Sequence, residues 1–213
     1  MDDVLAGQAI YRKDVLSFYD FSVNHVTMPW FWRCPVAEVQ SLYDASVGAR
    51  HLEMGVGTGY LPAHAQFPVP DPRITLVDLN PAPLAYTARR LSQYATTLVR
   101  ANVLEPLPVQ GPFDSAAMNF LLHCVPGSIE DKGVILRNAA AVVKPGGIVF
   151  GSTILSSDVP VTPQARLLMK VFNARGIFHN DRDTLAGLRT VLSGFDRHKL
   201  VVRGCVALFR VRP

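Results

Sequence analysis

From Arg50 onward the chain alternates between short apolar runs bounded by turn residues and longer stretches whose apolar residues recur at three- and four-residue spacing. The first pattern fits buried strands and the second amphipathic helices, so the alternation predicts a mostly parallel sheet with helices on both faces. Five strands are expected in order: Arg50 to Met54, Arg73 to Asp78, Thr97 to Ala101, Phe113 to Phe120 and Gly147 to Thr153. Two more, Leu200 to Val202 and Cys205 to Val211, meet at Arg203-Gly204 and read as an antiparallel hairpin closing the sheet.

The helices between these strands carry start and stop signals. Asn80 can cap a helix whose first residue is Pro81, with Leu84, Ala88 and Leu91 on one face. Ser128, with Asp131 three residues later, resembles a capping box; Ile135, Leu136, Ala139 and Val143 form the apolar stripe, and Lys144-Pro145-Gly146-Gly147 ends the helix. Two segments depart from simple alternation, and substrate specificity is expected there. Met1 to Val47 looks helical, with an aromatic stretch and a second helix begun by Pro35. Ser156 to Gly194 has helix starts at Thr162-Pro163 and at Asp181 to Asp183, on either side of the turn Gly176-Ile177-Phe178-His179-Asn180.

Composition bounds the picture. At 213 residues, 49% of them hydrophobic, the chain suits one core and one domain spanning 1–213, with a helical lid at 1–47, a core at 50–213 and a substrate-side insertion at 156–194. No run approaches the roughly 18 apolar residues of a membrane span, and Asp2 and Asp3 stand where a leader would be basic. A cytoplasmic protein with no membrane partner is expected. Cys34, Cys124 and Cys205 are scattered and odd in number, which fits reduced thiols and no metal site. The formal charge of +4 comes from dispersed Lys and Arg; the densest group, Arg197, His198, Lys199, Arg203, Arg210 and Arg212, fits a solvated sheet edge and not a nucleic-acid surface.

Candidate chemistry begins at His51-Leu-Glu-Met-Gly-Val-Gly-Thr-Gly59. A glycine-rich turn after a strand lets backbone approach a ligand closely, as nucleotide-like cofactors require. Gly55, Gly57 and Gly59 are spaced G-x-G-x-G behind an acid, Glu53, whereas dinucleotide folds space the last two glycines as G-x-x-G. The acid suits a methionine ammonium better than a pyrophosphate. Asp78 ends the second strand nineteen residues beyond Gly59, where a carboxylate can accept from both ribose hydroxyls.

These residues resemble the class I methyltransferases that use S-adenosyl-L-methionine, above all the small-molecule branch similar to quinone-biosynthesis enzymes. The resemblance covers Arg50 to Val211. Beside the glycine loop it rests on Thr75-Leu-Val-Asp78, Phe113-Asp-Ser115, Asn119-Phe-Leu-Leu-His-Cys-Val-Pro126 and Val143-Lys-Pro-Gly-Gly-Ile-Val-Phe150. It implies a Rossmann-like, doubly wound α/β sheet whose last strand is reversed. It also implies a donor site at Glu53, Gly55, Val56, Gly57, Thr58, Gly59, Asp78, Leu79, Asn102, Val103, Asn119 and Phe120, with S-adenosyl-L-homocysteine as product. One departure stands out: Asn102 occupies the place of an acid that usually binds the adenine amino group, and its carbonyl can still accept one bond.

The acceptor site is expected beyond the fourth strand. Base-methylating enzymes carry Asn or Asp followed by Pro-Pro and an aromatic there; Asn119-Phe120-Leu121-Leu122 does not match, which points to a small molecule methylated at oxygen, nitrogen or carbon. His123 is the candidate general base, its type having an ordinary pKa near 6.5; packing is the competing role. Tyr19 is the candidate partner of the methionyl carboxylate. Asn24, Trp30, Trp32, Phe178 and His179 are candidate acceptor contacts, in a neighbourhood that also holds Tyr11, His25, Phe31, Arg33 and Asn180. A non-catalytic sensor, an enzyme of cyclisation or rearrangement, and a nicotinamide reductase remain alternatives at this stage, and monomer and homodimer are both open.

Overall fold

The structure, a computed structural model, describes residues 23–213. The expected contributions of Tyr11 and Tyr19, and of the Asn24 and His25 side chains, lie outside what is described. A π-helix, Val23–Phe31, leads to α1, Val36–Asp44. Then follow β1 Arg50–Met54, α2 Tyr60–Ala63, β2 Arg73–Asp78, α3 Pro81–Arg90, β3 Ala95–Arg100, β4 Phe113–Asn119, α4 Ile129–Val142, β5 Val143–Ile154, α5 Pro163–Ala174, α6 Leu185–Ser193, β6 Arg197–Arg203 and β7 Val206–Arg212.

The seven strands form one sheet in the order β3-β2-β1-β4-β5-β7-β6. β1 to β5 run parallel, and β7 lies antiparallel to both β5 and β6. The central strands β1 and β4 are buried almost without interruption, as strands covered on both faces must be. The chain steps outward through β2 to β3 and returns to β4 beside β1, so the strand order reverses there. Such a reversal opens a crevice at the carboxyl ends of the strands, and both the glycine loop and the Asn119–Cys124 segment leave the sheet at that crevice.

Local signals set these elements. Asn80 Oδ1 accepts from Ala82 N–H at 2.9 Å, capping α3 with Pro81 inside its first turn. Ser128 and Asp131 make the reciprocal capping box of α4. Leu52, Met54, Met118, Ile135, Leu136, Ala139 and Phe209 build the main core between α4, α6 and the sheet. A second core beneath the insertion joins Met28, Trp32, Cys34, Ile154, Met169, Phe178 and Cys205.

Several boundaries differ from the sequence reading, for identifiable reasons. α2, for which no boundary is expected from the sequence, is a single turn, because Pro68, Pro70 and Pro72 follow closely and cannot continue a helix. β3 begins and ends earlier than Thr97 to Ala101, at Ala95 and Arg100. β4 stops at Asn119 because Phe120 turns left-handed, φ 56°. Lys144 to Gly147 stays within β5: two steps along β4, Phe113 to Ser115, face five along β5, Val143 to Ile148, and Gly146 absorbs the bulge at φ 75°. α6 begins at Leu185 and not at Asp181 to Asp183. Thr184 Oγ1 accepts from Gly187 N–H as the cap, and the Asp183 carboxylate is committed elsewhere.

Candidate functional site

All three loop glycines have positive φ, 66°, 51° and 67° for Gly55, Gly57 and Gly59, a region that favours residues without a Cβ. Packing separates them. A Cβ on Gly55 would stand 2.6 Å from Leu121 Cδ1 and one on Gly59 2.6 Å from Thr87 Cγ2, whereas one on Gly57 would meet no described residue within 4 Å. The outer two glycines thus pin the loop against β4 and α3, and Gly57 borders open space. Thr58 and Val56 are buried; Thr87 Oγ1 and Arg90 donate to the Gly57 and Thr58 carbonyls.

Asp78 lies against this loop. Its Oδ2 accepts from Val56 N–H at 3.1 Å and its Oδ1 from Asn80 N–H at 2.9 Å. Burial pushes its carboxyl up to about 6 despite these bonds. Leu79 is half-buried and Val103 buried. Asn102 Oδ1 accepts from Leu104 N–H at 3.1 Å, a turn contact that leaves one lone pair for a ligand.

Glu53, only 3% exposed, is held through one oxygen. Tyr43 Oη donates to its Oε2 at 2.6 Å, and His51 Nε2 lies 3.0 Å from the same atom. Among the described residues Oε1 makes no hydrogen bond, and 4% of the side chain is exposed. A carboxylate fixed on one side and free on the other suits a cation arriving from the crevice.

At the end of β4, Asn119 Oδ1 accepts from Ser152 Oγ at 3.0 Å, while its Nδ2 is buried without a partner among the described residues. Phe120 holds its left-handed turn through Phe120 N–H donating to Ser152 O at 2.8 Å. His123 is 3% exposed and packed by Phe178 and Phe120, ring centroids 4.5 and 6.0 Å away. Its Nδ1 accepts from Ile154 N–H at 3.4 Å, so the ring proton belongs on Nε2. Burial lowers its pKa to about 3, aided by the Lys132 charge.

The insertion closes on this segment: His179 N–H donates to His123 O at 2.7 Å, and Lys132 Nζ donates to His179 O at 2.8 Å. Lys132 also pairs with Asp183 at 2.7 Å, both fully buried. Trp32 is buried against Phe178, centroids 6.2 Å apart, and serves the second core. Trp30 is 75% exposed, and His179 half-buried. The structure therefore gathers the loop, Asp78 and Glu53 at the β1–β2 side of the crevice. His123, Phe178 and His179 gather at the β4–β5 side, and Trp30 stands apart. Missed by the sequence reading were Tyr43, His51 and Ser115 behind Glu53, and the Lys132–Asp183 pair.

Residues 52–149 match the family model described as a methyltransferase domain. The chain is 54% identical to a demethylluteothin O-methyltransferase of Streptomyces thioluteus over 97% of this chain and 91% of that one. It is 34% identical to a physcion biosynthesis cluster O-methyltransferase of Aspergillus chevalieri, over 96% and 93% respectively. Its fold is similar to the N-methyltransferase NodS of Bradyrhizobium japonicum WM9, solved with S-adenosyl-L-homocysteine, at TM-score 0.59 and 13% identity, covering 83% of this chain and 84% of that one.

Proposed function

We infer the acceptor from one premise: the chain belongs to the class I S-adenosyl-L-methionine-dependent methyltransferases and methylates a small molecule. The acceptor atom proposed is oxygen, in a hydroxyl of a specialised metabolite. The observation that carries this is the 54% identity, spread over nearly the whole chain, to a relative named for O-methylation of demethylluteothin. The aromatic surroundings of the β4 end, with Phe120 and Phe178 about His123 and Phe172 packed on Phe178, suit a flat, largely apolar acceptor.

The donor supplies an electrophilic methyl carbon on a sulfonium. The residues present fit it: among the described residues nothing crowds Gly57 and none bonds the second oxygen of Glu53, and Asp78 faces the loop. Gly55 to Gly59 and Asp78 would hold its nucleoside part and Glu53 its ammonium. The chain's main task is then alignment of acceptor and methyl group, which contributes about 7–11 kcal/mol in favourable cases.

We propose that His123 acts by packing and by its Nε2–H, not as the base. An imidazole that holds no proton until about pH 3 gains little by accepting one from a hydroxyl. His123→Asn is expected to keep kcat within about tenfold of wild type, since general-base catalysis is worth about 100-fold or more. A loss beyond 100-fold, with an acidic limb removed from the pH–kcat profile, would restore the general-base role.

Asp78 gives a pH signature. Its folded pKa is raised from the ordinary 3.8 to about 6, so its contribution to the stability of the ligand-free chain is present below pH 4 and lost as pH rises through about 6. Ribose hydroxyls donate to the anion, so affinity for S-adenosyl-L-homocysteine is expected to rise about tenfold between pH 5 and pH 7. Titration calorimetry at the two pH values checks this; equal affinities would remove Asp78 from ribose binding. The acceptor itself is tested with labelled donor and hydroxyl compounds resembling demethylluteothin: label on oxygen supports the reading, and label on nitrogen or carbon refutes it.

A further inference from the structure

We propose that Tyr43, His51 and Ser115 form a positioning relay that holds Glu53 as an oriented anion for the ammonium group of the donor. The proposal rests on the reading of the glycine loop as the donor site. Its parts come from three elements: Tyr43 from α1, His51 and Glu53 from one side of β1, and Ser115 from β4, where it pairs directly with His51. Tyr43, His51 and Ser115 are fully buried and Glu53 nearly so.

The direction of every proton in the relay can be assigned. Gly48 N–H donates to Ser115 Oγ at 2.8 Å, which leaves the serine hydroxyl proton for His51 Nδ1, 2.7 Å away. Nδ1 then accepts, and the imidazole proton sits on Nε2, 2.9 Å from Tyr43 Oη and 3.0 Å from Glu53 Oε2. Tyr43 Oη in turn donates to Oε2. The opposite tautomer would set an unprotonated Nε2 against a carboxylate oxygen and leave the serine hydroxyl without an acceptor. Each donor therefore points toward Glu53, and aligned bonds of this kind reinforce one another. Burial and Glu53 itself hold the Tyr43 phenol protonated, as a donor must be.

Aromatic packing fixes the geometry. The His51 ring stacks on Phe150 at 6.0 Å and 29°, and Tyr43 meets the same ring edge-on at 5.3 Å. Sheet stability alone calls for no carboxylate here, since a buried carboxylate is costly and the opposite face of β1 is filled by apolar Leu52 and Met54. The relay leaves the second oxygen, Oε1, without a hydrogen bond among the described residues, two residues before Gly55, on a side chain that is 4% exposed. Fixed negative charge at that place selects a cation.

The test is titration calorimetry of wild-type protein, Tyr43→Phe and Ser115→Ala with S-adenosyl-L-homocysteine and with its analogue lacking the α-amino group. Both variants are expected to bind S-adenosyl-L-homocysteine about tenfold more weakly, and the deaminated analogue within about twofold of wild type. Tyr43→Phe keeps the ring against Phe150; Ser115→Ala removes the relay's far end together with the acceptor of Gly48 N–H, so in each variant the two ligands are compared within the same protein. Equal losses for both ligands, or no loss for either, would overturn the relay. Asp78→Ala is expected to weaken both ligands alike and reports separately on the donor site; failure of wild-type protein to bind either ligand overturns that reading and the relay with it.

Discussion

Asp183→Ala is expected to lower stability by about 3–5 kcal/mol, the cost of stranding a buried charge. In a chain of this size each kcal/mol corresponds to about 2–4 °C in Tm. Lys132 and Asp183 are both fully buried, and Lys132 Nζ divides its three donors among Asp183 Oδ1 at 2.7 Å, Oδ2 at 2.8 Å and His179 O at 2.8 Å. Without Asp183 the ammonium keeps one carbonyl. Burial already lowers the Lys132 pKa, so it would shed its proton sooner than remain charged. The double replacement Lys132→Met with Asp183→Leu is expected to lose far less than Asp183→Ala, because no charge is left behind. Thermal melts of the three proteins distinguish the cases; equal Tm values for wild type and Asp183→Ala would show that the pair does not hold the insertion onto α4.

Gly57→Val is expected to separate binding from folding. Its Cβ meets no described residue within 4 Å, so among the described residues the folding penalty comes from a positive φ of 51°, about 1–2 kcal/mol for a residue with a side chain. The side chain would occupy the space proposed for the donor, and affinity for S-adenosyl-L-homocysteine is expected to fall about 100-fold. Gly59→Val differs in kind: its Cβ would lie 2.6 Å from Thr87 Cγ2, so Tm falls along with affinity. A Gly57→Val protein that melts a few degrees early yet binds normally would contradict the placement of the donor at this loop.

The sheet was largely legible because its strands announce themselves locally. Arg73–Asp78 holds the apolar Ile74, Leu76 and Val77, and Arg50–Met54, with only Leu52 and Met54 apolar, is marked by the glycine turn that follows it; both boundaries agree with the structure. The capping signals at Asn80 and Ser128 are equally local. Errors arose where tertiary contacts outweighed local signals. Asp181 to Asp183 looks like a helix start, yet Asp183 is drawn to Lys132, fifty-one positions away in the chain, and Thr184 takes the cap. The Lys-Pro-Gly-Gly turn reads as a break, yet pairing with β4 carries β5 through it.

The site was legible to a lesser depth. The glycine spacing, Glu53 and Asp78 could be found because each sits at a strand end with a fixed chemical requirement. Tyr43, His51 and Ser115 could not, since nothing in a single sequence couples residues eight and sixty-four positions apart. His51 stood inside the motif all along, but only the fold shows that it faces Glu53 and not solvent. His123 was visible as a histidine near the crevice; its burial among Phe120 and Phe178, which makes it a poor base, was not.

The central claim is that this chain binds its methyl donor through the Gly55–Gly59 loop and Asp78. Calorimetric titration of S-adenosyl-L-homocysteine into wild-type and Asp78→Ala protein at pH 7 tests it most directly. The account predicts saturable one-site binding to wild type and a loss of about 30-fold or more in the variant, equivalent to about 2 kcal/mol. Equal affinity in the two folded proteins would contradict it.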